Sequence, residues 1–225
     1  MESLRLDLHT HSRHSPDSFL SIDAIAGRIS ALGLHGFAVT DHNTVNGHRE
    51  IPAARARHPE LLILPGVEVS TREGHLLVYG VSEAPARDRA IAETIDWARA
   101  HGGVAVLSHP FRRAHGVGRV VAENARVPAV ETVNGHNSPR ANGRAADVAT
   151  RRRLGATGGS DGHALADLGQ AFTVVDGAVP NVEAVLAALG AGRTTASGRS
   201  LTVPGRLRYE WHTAILRLRR GFRPI

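Results

Sequence analysis

Leu4-Arg5-Leu6-Asp7-Leu8-His9-Thr10-His11 is a short apolar run that ends in two histidines. Leu4–Leu8 reads as a first strand. In an extended segment, residues two apart point to the same side. Both imidazoles can then face one metal ion, with Asp7 orienting a ring from behind. The pair alone is weak evidence. With 14 histidines in 225 residues, about one His-x-His is expected by chance. Its position directly after a strand gives it weight, and so does the recurrence of that arrangement along the chain.

Outward from this strand, apolar runs alternate with helix-like segments. Ser21 caps a helix carrying Ile22, Ile25, Ile29 and Leu32 on one face, stopped by Gly33. Gly36–Thr40 reads as a second strand, followed by a helix over about Val45–Arg57. Leu61–Leu64 and Val67–Ser70 read as strands broken by Pro65-Gly66, and His75–Val81 as the next. A helix over about Arg87–His101 ends at Gly102-Gly103. Val104–Ser108 and Ala129–Val133 are further strands, and Ala141–Leu154 is a helix. Phe172–Val175 is a late strand. Pro180 opens a helix closed by Gly190, and a short strand follows from about Thr194. Such alternation makes an α/β protein with a mainly parallel sheet. Seven or so strands favour a barrel over an open sheet. The expected organisation is one barrel over residues 1–200 and a basic extension over 201–225.

Composition excludes several chemistries. The chain has no cysteine and no lysine, so all 27 basic residues are arginine. Schiff-base lysines, phosphate-loop lysines, cysteine nucleophiles and zinc–thiolate sites are ruled out. The net charge of +6 is concentrated at the end, where Arg206–Ile225 holds six arginines and one acid, Glu210. That segment reads as a solvated helix or as a contact for acidic partners. No apolar run spans a membrane and the first residues do not resemble a signal peptide, so the expected location is cytoplasmic.

The residues suited to metal binding sit at strand ends. Asp41-His42 follows the second strand. Glu68 lies in Pro65-Gly66-Val67-Glu68, His75 opens a strand, and His109 ends one in Ser108-His109-Pro110. Asp161 and His163 stand two apart in Gly159-Ser160-Asp161-Gly162-His163. Barrel enzymes keep their sites at the C-terminal ends of strands. Imidazole and carboxylate without sulfur suit zinc, manganese or iron. The donors are too many for one ion, which implies two or three divalent ions. Ions about 3.5–4 Å apart can share a hydroxide and clamp an in-line displacement.

These motifs resemble the polymerase and histidinol phosphatase (PHP) family, from about Leu4 to Thr195. The resemblance implies a distorted TIM-like (β/α)7 barrel with phosphoesterase activity at a bi- or trinuclear site. By that match His9, His11, Asp17, His42, Glu68, His75, His109, Asp161 and His163 are metal ligands, with Glu68 bridging two ions. His14 is the alternative to Asp17. His42, Glu68 and Asp161 are expected to carry the chemistry, with Asp41 beside Asp7 as a supporting acid. Glu131 matches a recurring family acid and is read as lining the substrate site. Arg112 and Arg113 hold a phosphate or form a solvated turn. His115 and His136 are candidate substrate contacts, whereas His35, His48, His58, His101 and His212 read as ordinary.

The expected reaction is hydrolysis of a phosphate mono- or diester by a metal-bridging hydroxide. A small phosphorylated substrate, from nucleotides and oligonucleotide ends to histidinol phosphate, is the expected partner. Amide hydrolysis is the competing reading, since amidohydrolase barrels also open with His-x-His. Many of them bridge their metals with a carboxylated lysine, which this chain lacks. A non-enzymatic alternative assigns Trp211, Ile215, Leu216 and Leu218, with their neighbouring arginines, to nucleic-acid or acidic-surface binding.

Overall fold

The computed structural model of the protein describes residues 3–177 and 179–200, together with Gly205, Trp211, Ala214, Ile215 and Leu218. The expected basic extension therefore lies outside the described residues except at those five positions, and His212 lies outside them too.

The order of elements is β1 (Leu4–Thr10), α1 (Ile22–Ala31), β2 (Gly36–Val39), α2 (Ile51–Arg57), β3 (Leu62–Ser70), β4 (His75–Tyr79), α3 (Ile91–Ala100), β5 (Val104–Leu107), α4 (Gly118–Asn124), β6 (Ala129–Asn134), α5 (Pro139–Arg152), β7 (Gly155–Gly159), β8 (Ala171–Val175), α6 (Val182–Gly190) and β9 (Thr195–Gly198). The strands form one sheet in the order β7-β6-β5-β4-β3-β2-β1-β8-β9. It curls until its ends meet. Gly158 N donates to Thr173 Oγ1 at 2.9 Å, and Asp161 N donates to His9 O at 2.8 Å. The result is a nearly closed, distorted TIM-like barrel.

The core forms in layers. Leu4, Leu6, Leu8, Leu64, Leu77 and Tyr79 belong to one buried cluster together with Val185 and Leu189 of α6. A second cluster sits between α1, α2 and the outer face of the sheet, where Ile22, Ile25 and Ile29 meet Phe37 and Ile63. Each such side chain contributes roughly 1.5–3 kcal/mol on full burial. Ser21 caps α1 as its sequence suggests, accepting from Ala24 N at 3.1 Å. Among the described residues no helix is long and apolar enough to cross a membrane.

The sheet is less uniformly parallel than the alternation implies. β4 runs antiparallel to both β3 and β5, because a tight turn at 71–74 joins β3 to β4 with no crossover helix. Nor does Pro65-Gly66 break β3. The strand pairs with β2 up to Pro65 and with β4 from Gly66, so the dipeptide marks a change of partner. The helix expected from Val45 starts as a 3-10 turn over Asn46–Glu50. α4 carries no strong sequence signal.

Two bulges aim the functional side chains. Between Asp7 and Thr10, β1 advances three residues while β2 advances two. Leu8 packs in the barrel interior, and the extra residue lets His9 face inward as well. In β6 the register slips between Glu131 and Val133. Glu131 and Asn134, three apart, thereby reach the same side.

Gly158-Gly159 permits close strand approach. A Cβ on Gly159 would lie 2.3 Å from His9 Cβ, and one on Gly158 would lie 2.4 Å from Phe172 O. The glycines thus bring β7 against β1 and β8. Gly159→Ala is expected to lower unfolding free energy by about 1–3 kcal/mol through overpacking. An unchanged urea midpoint for that variant would show that the approach is not tight.

Candidate metal centre

All nine side chains expected as ligands converge at the C-terminal ends of the parallel strands, and all are buried. They form three overlapping groups. His11, Asp17, His42 and His163 make one, His9, His11, Glu68 and Asp161 a second, and His42, Glu68 and His75 a third. Within each group the donor atoms lie within 4.8 Å of one another. His109 joins through Glu68, with its Nε2 2.9 Å from Oε1.

Glu68 occupies the centre. Its Oε2 lies 3.2 Å from His9 Nε2, 3.4 Å from His11 Nε2 and 3.2 Å from His42 Nδ1. Its Oε1 lies 3.0 Å from His75 Nδ1 and accepts from Ser108 Oγ at 2.9 Å. Asp17 is the acid of the outer group, 3.0 Å from His163 Nε2 and 3.2 Å from His42 Nε2. His14 instead pairs with Glu50 at 2.6 Å and stands outside the three groups. Asp161 Oδ1 stands 3.2 Å from His11 Nε2 and 3.5 Å from His9 Nε2.

Two donor residues hold unusual backbone. His109 has φ +26° and Asp161 φ +56°. Left-handed backbone at a non-glycine residue costs on the order of 1–3 kcal/mol and clusters at functional sites. Both residues are anchored through their N–H groups. His109 N donates to Glu131 Oε2 at 2.8 Å, and Asp161 N donates to His9 O.

The supporting acids do other work than expected. Among the described residues Asp7 contacts no ring. Its carboxylate accepts from the backbone N–H of Ser160 (2.8 Å), Gly169 (2.8 Å) and His9 (3.3 Å), fastening β1 to the loop after β7. Asp41 accepts from Ser12 N at 2.6 Å and Ser12 Oγ at 2.7 Å, joining the loops after β1 and β2. The acid that orients a ring is Glu131, whose Oε1 lies 2.9 Å from His9 Nδ1. Read from the sequence as lining the substrate site, Glu131 is 1 % exposed and sits behind His9.

At the rim, Arg112 donates to Asp161 Oδ2, to Asn134 Oδ1 at 2.7 Å and to Asn137 Oδ1 at 3.2 Å. Arg113 is exposed on the same loop. The His115 ring stacks on His75 at 4.6 Å, and His136 meets His163 edge-on at 5.8 Å. His35, His48, His58 and His101 bond elsewhere. Sequence reading passed over Ser15, Ser108 and Asn134. Ser108 had a local signal, being next to His109. Ser15 sits in the short loop before Asp17, where its Oγ donates to Asp17 Oδ1 at 2.8 Å.

The PHP domain profile matches residues 7–109, the stretch that carries His9 to His109, and the PHP-associated profile matches residues 139–194. The chain belongs to the PHP family. An uncharacterized protein of Methanocaldococcus jannaschii is 27% identical over 118 residues, which are 48% of this chain and 68% of that relative. The fold matches a two-domain protein containing a predicted PHP-like metal-dependent phosphoesterase from Bacteroides vulgatus. That match has TM-score 0.75 and 17% identity, covering 94% of this chain and 70% of that one. It also matches Endonuclease Q in complex with a 27-mer duplex bearing an abasic lesion, with TM-score 0.68 and 16% identity. The chain covers 60% of that enzyme and 88% of itself in the alignment.

Electrostatics in this PHP chain divide the imidazoles. Burial opposes charge on His9, His42 and His163, but neighbouring carboxylates overcome it. His9 is raised well above its ordinary value and His163 to about 9, and His42 is raised too. His11 is lowered to about 4 by burial and by His163, and His109 to about 3 by burial and Arg112. Burial also opposes ionisation of Asp17, Glu68 and Asp161, yet their cationic neighbours hold all three well below the usual carboxylate range. Three raised imidazoles thus face three ionised carboxylates.

Glu131→Ala would strip the acceptor from His9 Nδ1, His109 N and Asn134 Nδ2. Each orphaned buried donor costs about 1–3 kcal/mol. A loss of stability of that size or more is expected in chemical denaturation. A variant as stable as the parent would show that Glu131 supports nothing.

Proposed function

We propose that this chain is a metal-dependent phosphoric ester hydrolase acting on a small phosphorylated substrate in the cytoplasm, with two or three divalent ions as cofactors. The observation that carries this reading is the sharing of donors among the three groups. Glu68 lies within reach of the imidazoles of two groups at once, and His11 and His42 each belong to two. Overlapping donor groups suit ions close enough to act together.

The donor set fits cations on its own evidence. His9 Nε2, His42 Nδ1 and His109 Nδ1 are buried without a hydrogen-bond partner among the described residues. His9 Nε2 and His42 Nδ1 each lie 3.2 Å from Glu68 Oε2. Orphaned nitrogens facing carboxylates are costly unless a cation takes them. His9, His11, Glu68 and Asp161 would hold one ion. Glu68, His75 and His109 would hold a second, and Asp17, His42 and His163 a third. Zinc, manganese and iron all suit these donors. When bound, such ions supply Lewis acidity, an activated water and neutralisation of charge building on the phosphoryl oxygens.

The chain's own groups supply orientation. Glu131 fixes the His9 ring, and Ser108 fixes the Glu68 carboxylate. Arg112 brings a guanidinium to the edge of the cluster. Its fork geometry matches phosphate oxygens and costs no proton transfer. Amide hydrolysis has weaker support, because no lysine is present and the shared carboxylate is Glu68.

Metal content by mass spectrometry should give two or three ions per chain. Phosphate release from nucleotides and sugar phosphates should be lost in the His9→Ala/His11→Ala variant. A protein that purifies and reloads without metal, with activity unchanged in that variant, would overturn the proposal. Loading should also displace protons, because a ligating imidazole is neutral. His9 and His163, both raised, carry protons at pH 7, and the raised His42 adds to them, so loading there should release two or more per chain. Binding enthalpies compared in buffers of different ionisation heat give the number, and zero would contradict the assignment of these residues as ligands.

A further inference from the structure

The buried amide of Asn134 is not accounted for by metal ligation. Asn134 ends β6, is fully buried, and has every side-chain valence used. Its Oδ1 accepts from Arg112 Nη2 at 2.7 Å and from His136 N at 2.9 Å. Its Nδ2 donates to Glu131 Oε2 at 3.0 Å and to Asp161 Oδ2 at 3.3 Å. The two ends of the amide cannot be exchanged. Flipped, Oδ1 would face two carboxylates and Nδ2 would face a guanidinium and a backbone N–H.

The backbone is clamped as well. Asn134 N donates to Asn142 Oδ1 at 3.2 Å, and Asn134 O accepts from Asn142 Nδ2 at 3.1 Å. The register slip in β6 puts this residue on the same side as Glu131. One rigid amide therefore joins the acid behind His9, the acid shared with His11, and the arginine at the rim.

We propose that Asn134 is a positioning residue that sets the Arg112 guanidinium for the phosphoryl group, relative to Asp161 and its neighbours. This rests on the phosphoesterase reading above. Only an amide offers an acceptor to Arg112 and donors to both carboxylates in one planar group. A carboxylate at this position would add a like charge beside Glu131 and Asp161, and an alkyl group would leave all four partners without their bond. The role is geometric. Asn134 acts through Arg112, and Arg112 touches the substrate.

The test measures binding of inorganic phosphate to the metal-loaded protein by calorimetry, alongside metal content and thermal unfolding. It compares wild type, Asn134→Ala, Arg112→Ala and the double variant. Asn134→Ser, which leaves a smaller cavity, serves if the alanine variant does not fold. Metal content is expected to persist. Phosphate binding should weaken about tenfold in the Asn134 variant, the scale of one misaligned charge-assisted hydrogen bond. The double variant should bind no more weakly than Arg112→Ala alone, since residues acting through one contact are not additive. A purely structural role would lower the melting temperature and leave phosphate affinity unchanged. That result, or fully additive losses, overturns the inference while the function stands. A wild-type protein that takes up neither metal nor phosphate overturns the function and this inference with it.

Discussion

Everything at the C-terminal face of the barrel answers to one constraint, the burial of the Glu68 carboxylate. An ionised carboxyl taken out of water is costly unless it is paired and hydrogen-bonded. Glu68 is 1 % exposed, and five histidines from five segments lie within 3.4 Å of its oxygens. Those segments are β1, the loop after it, the loop after β2, β4 and the loop after β5. Only His9 and His11 are neighbours in the sequence. What unites the segments is that each ends or begins at the level where this carboxylate needs a partner.

Delivering those partners forces departures from regular geometry. A period of two along β1 would place Leu8 and His9 on opposite faces. Both face inward, and the one-residue bulge accounts for it. His109 and Asp161 accept left-handed backbone, and Glu131 and His9 O hold the N–H groups that make this tolerable. Asp7 accepts three backbone N–H bonds with its carboxyl raised to about 6 by burial, which outweighs those bonds. The barrel thus places both register slips, and two of its left-handed residues, beside the cluster.

This division explains what could be read from the chain. Strand ends were legible because ligand-type residues follow apolar runs at positions such as His9, His42 and His109. Convergence from separate segments made the cluster readable, since chance histidines such as His35 and His48 fall away from that pattern. Strand direction was not legible. Nothing in His75–Tyr79 separates an antiparallel strand from a parallel one, and the deciding feature is the short turn before it. Glu131 was found through the family resemblance, but its link to Asn134 was obscured by the bulge in β6. At a spacing of three in a strand they should oppose each other, so their common network has no periodic signature. Asp7 was misread because a carboxylate beside histidines invites a ring contact, whereas the loop after β7 presents N–H groups that only the fold brings near.

Charge balance connects the scaffold to the chemistry. The raised His9 and His163 partly offset the buried carboxylates where no metal is bound. A cation brings a larger charge to the same oxygens and gives the orphaned nitrogens of His9 and His42, both facing Glu68, a partner. Proton and cation therefore compete for one set of donors, and the competition is tightest at Glu68, where three imidazoles converge on a single oxygen. Arg112 lies outside that exchange. Its charge does not titrate in this range, so it is the same whether the donors carry protons or metal. Its bond to Asp161 also helps hold that carboxyl ionised. The rim arginine is thus a cation beside the cluster whose charge is independent of what the donors carry.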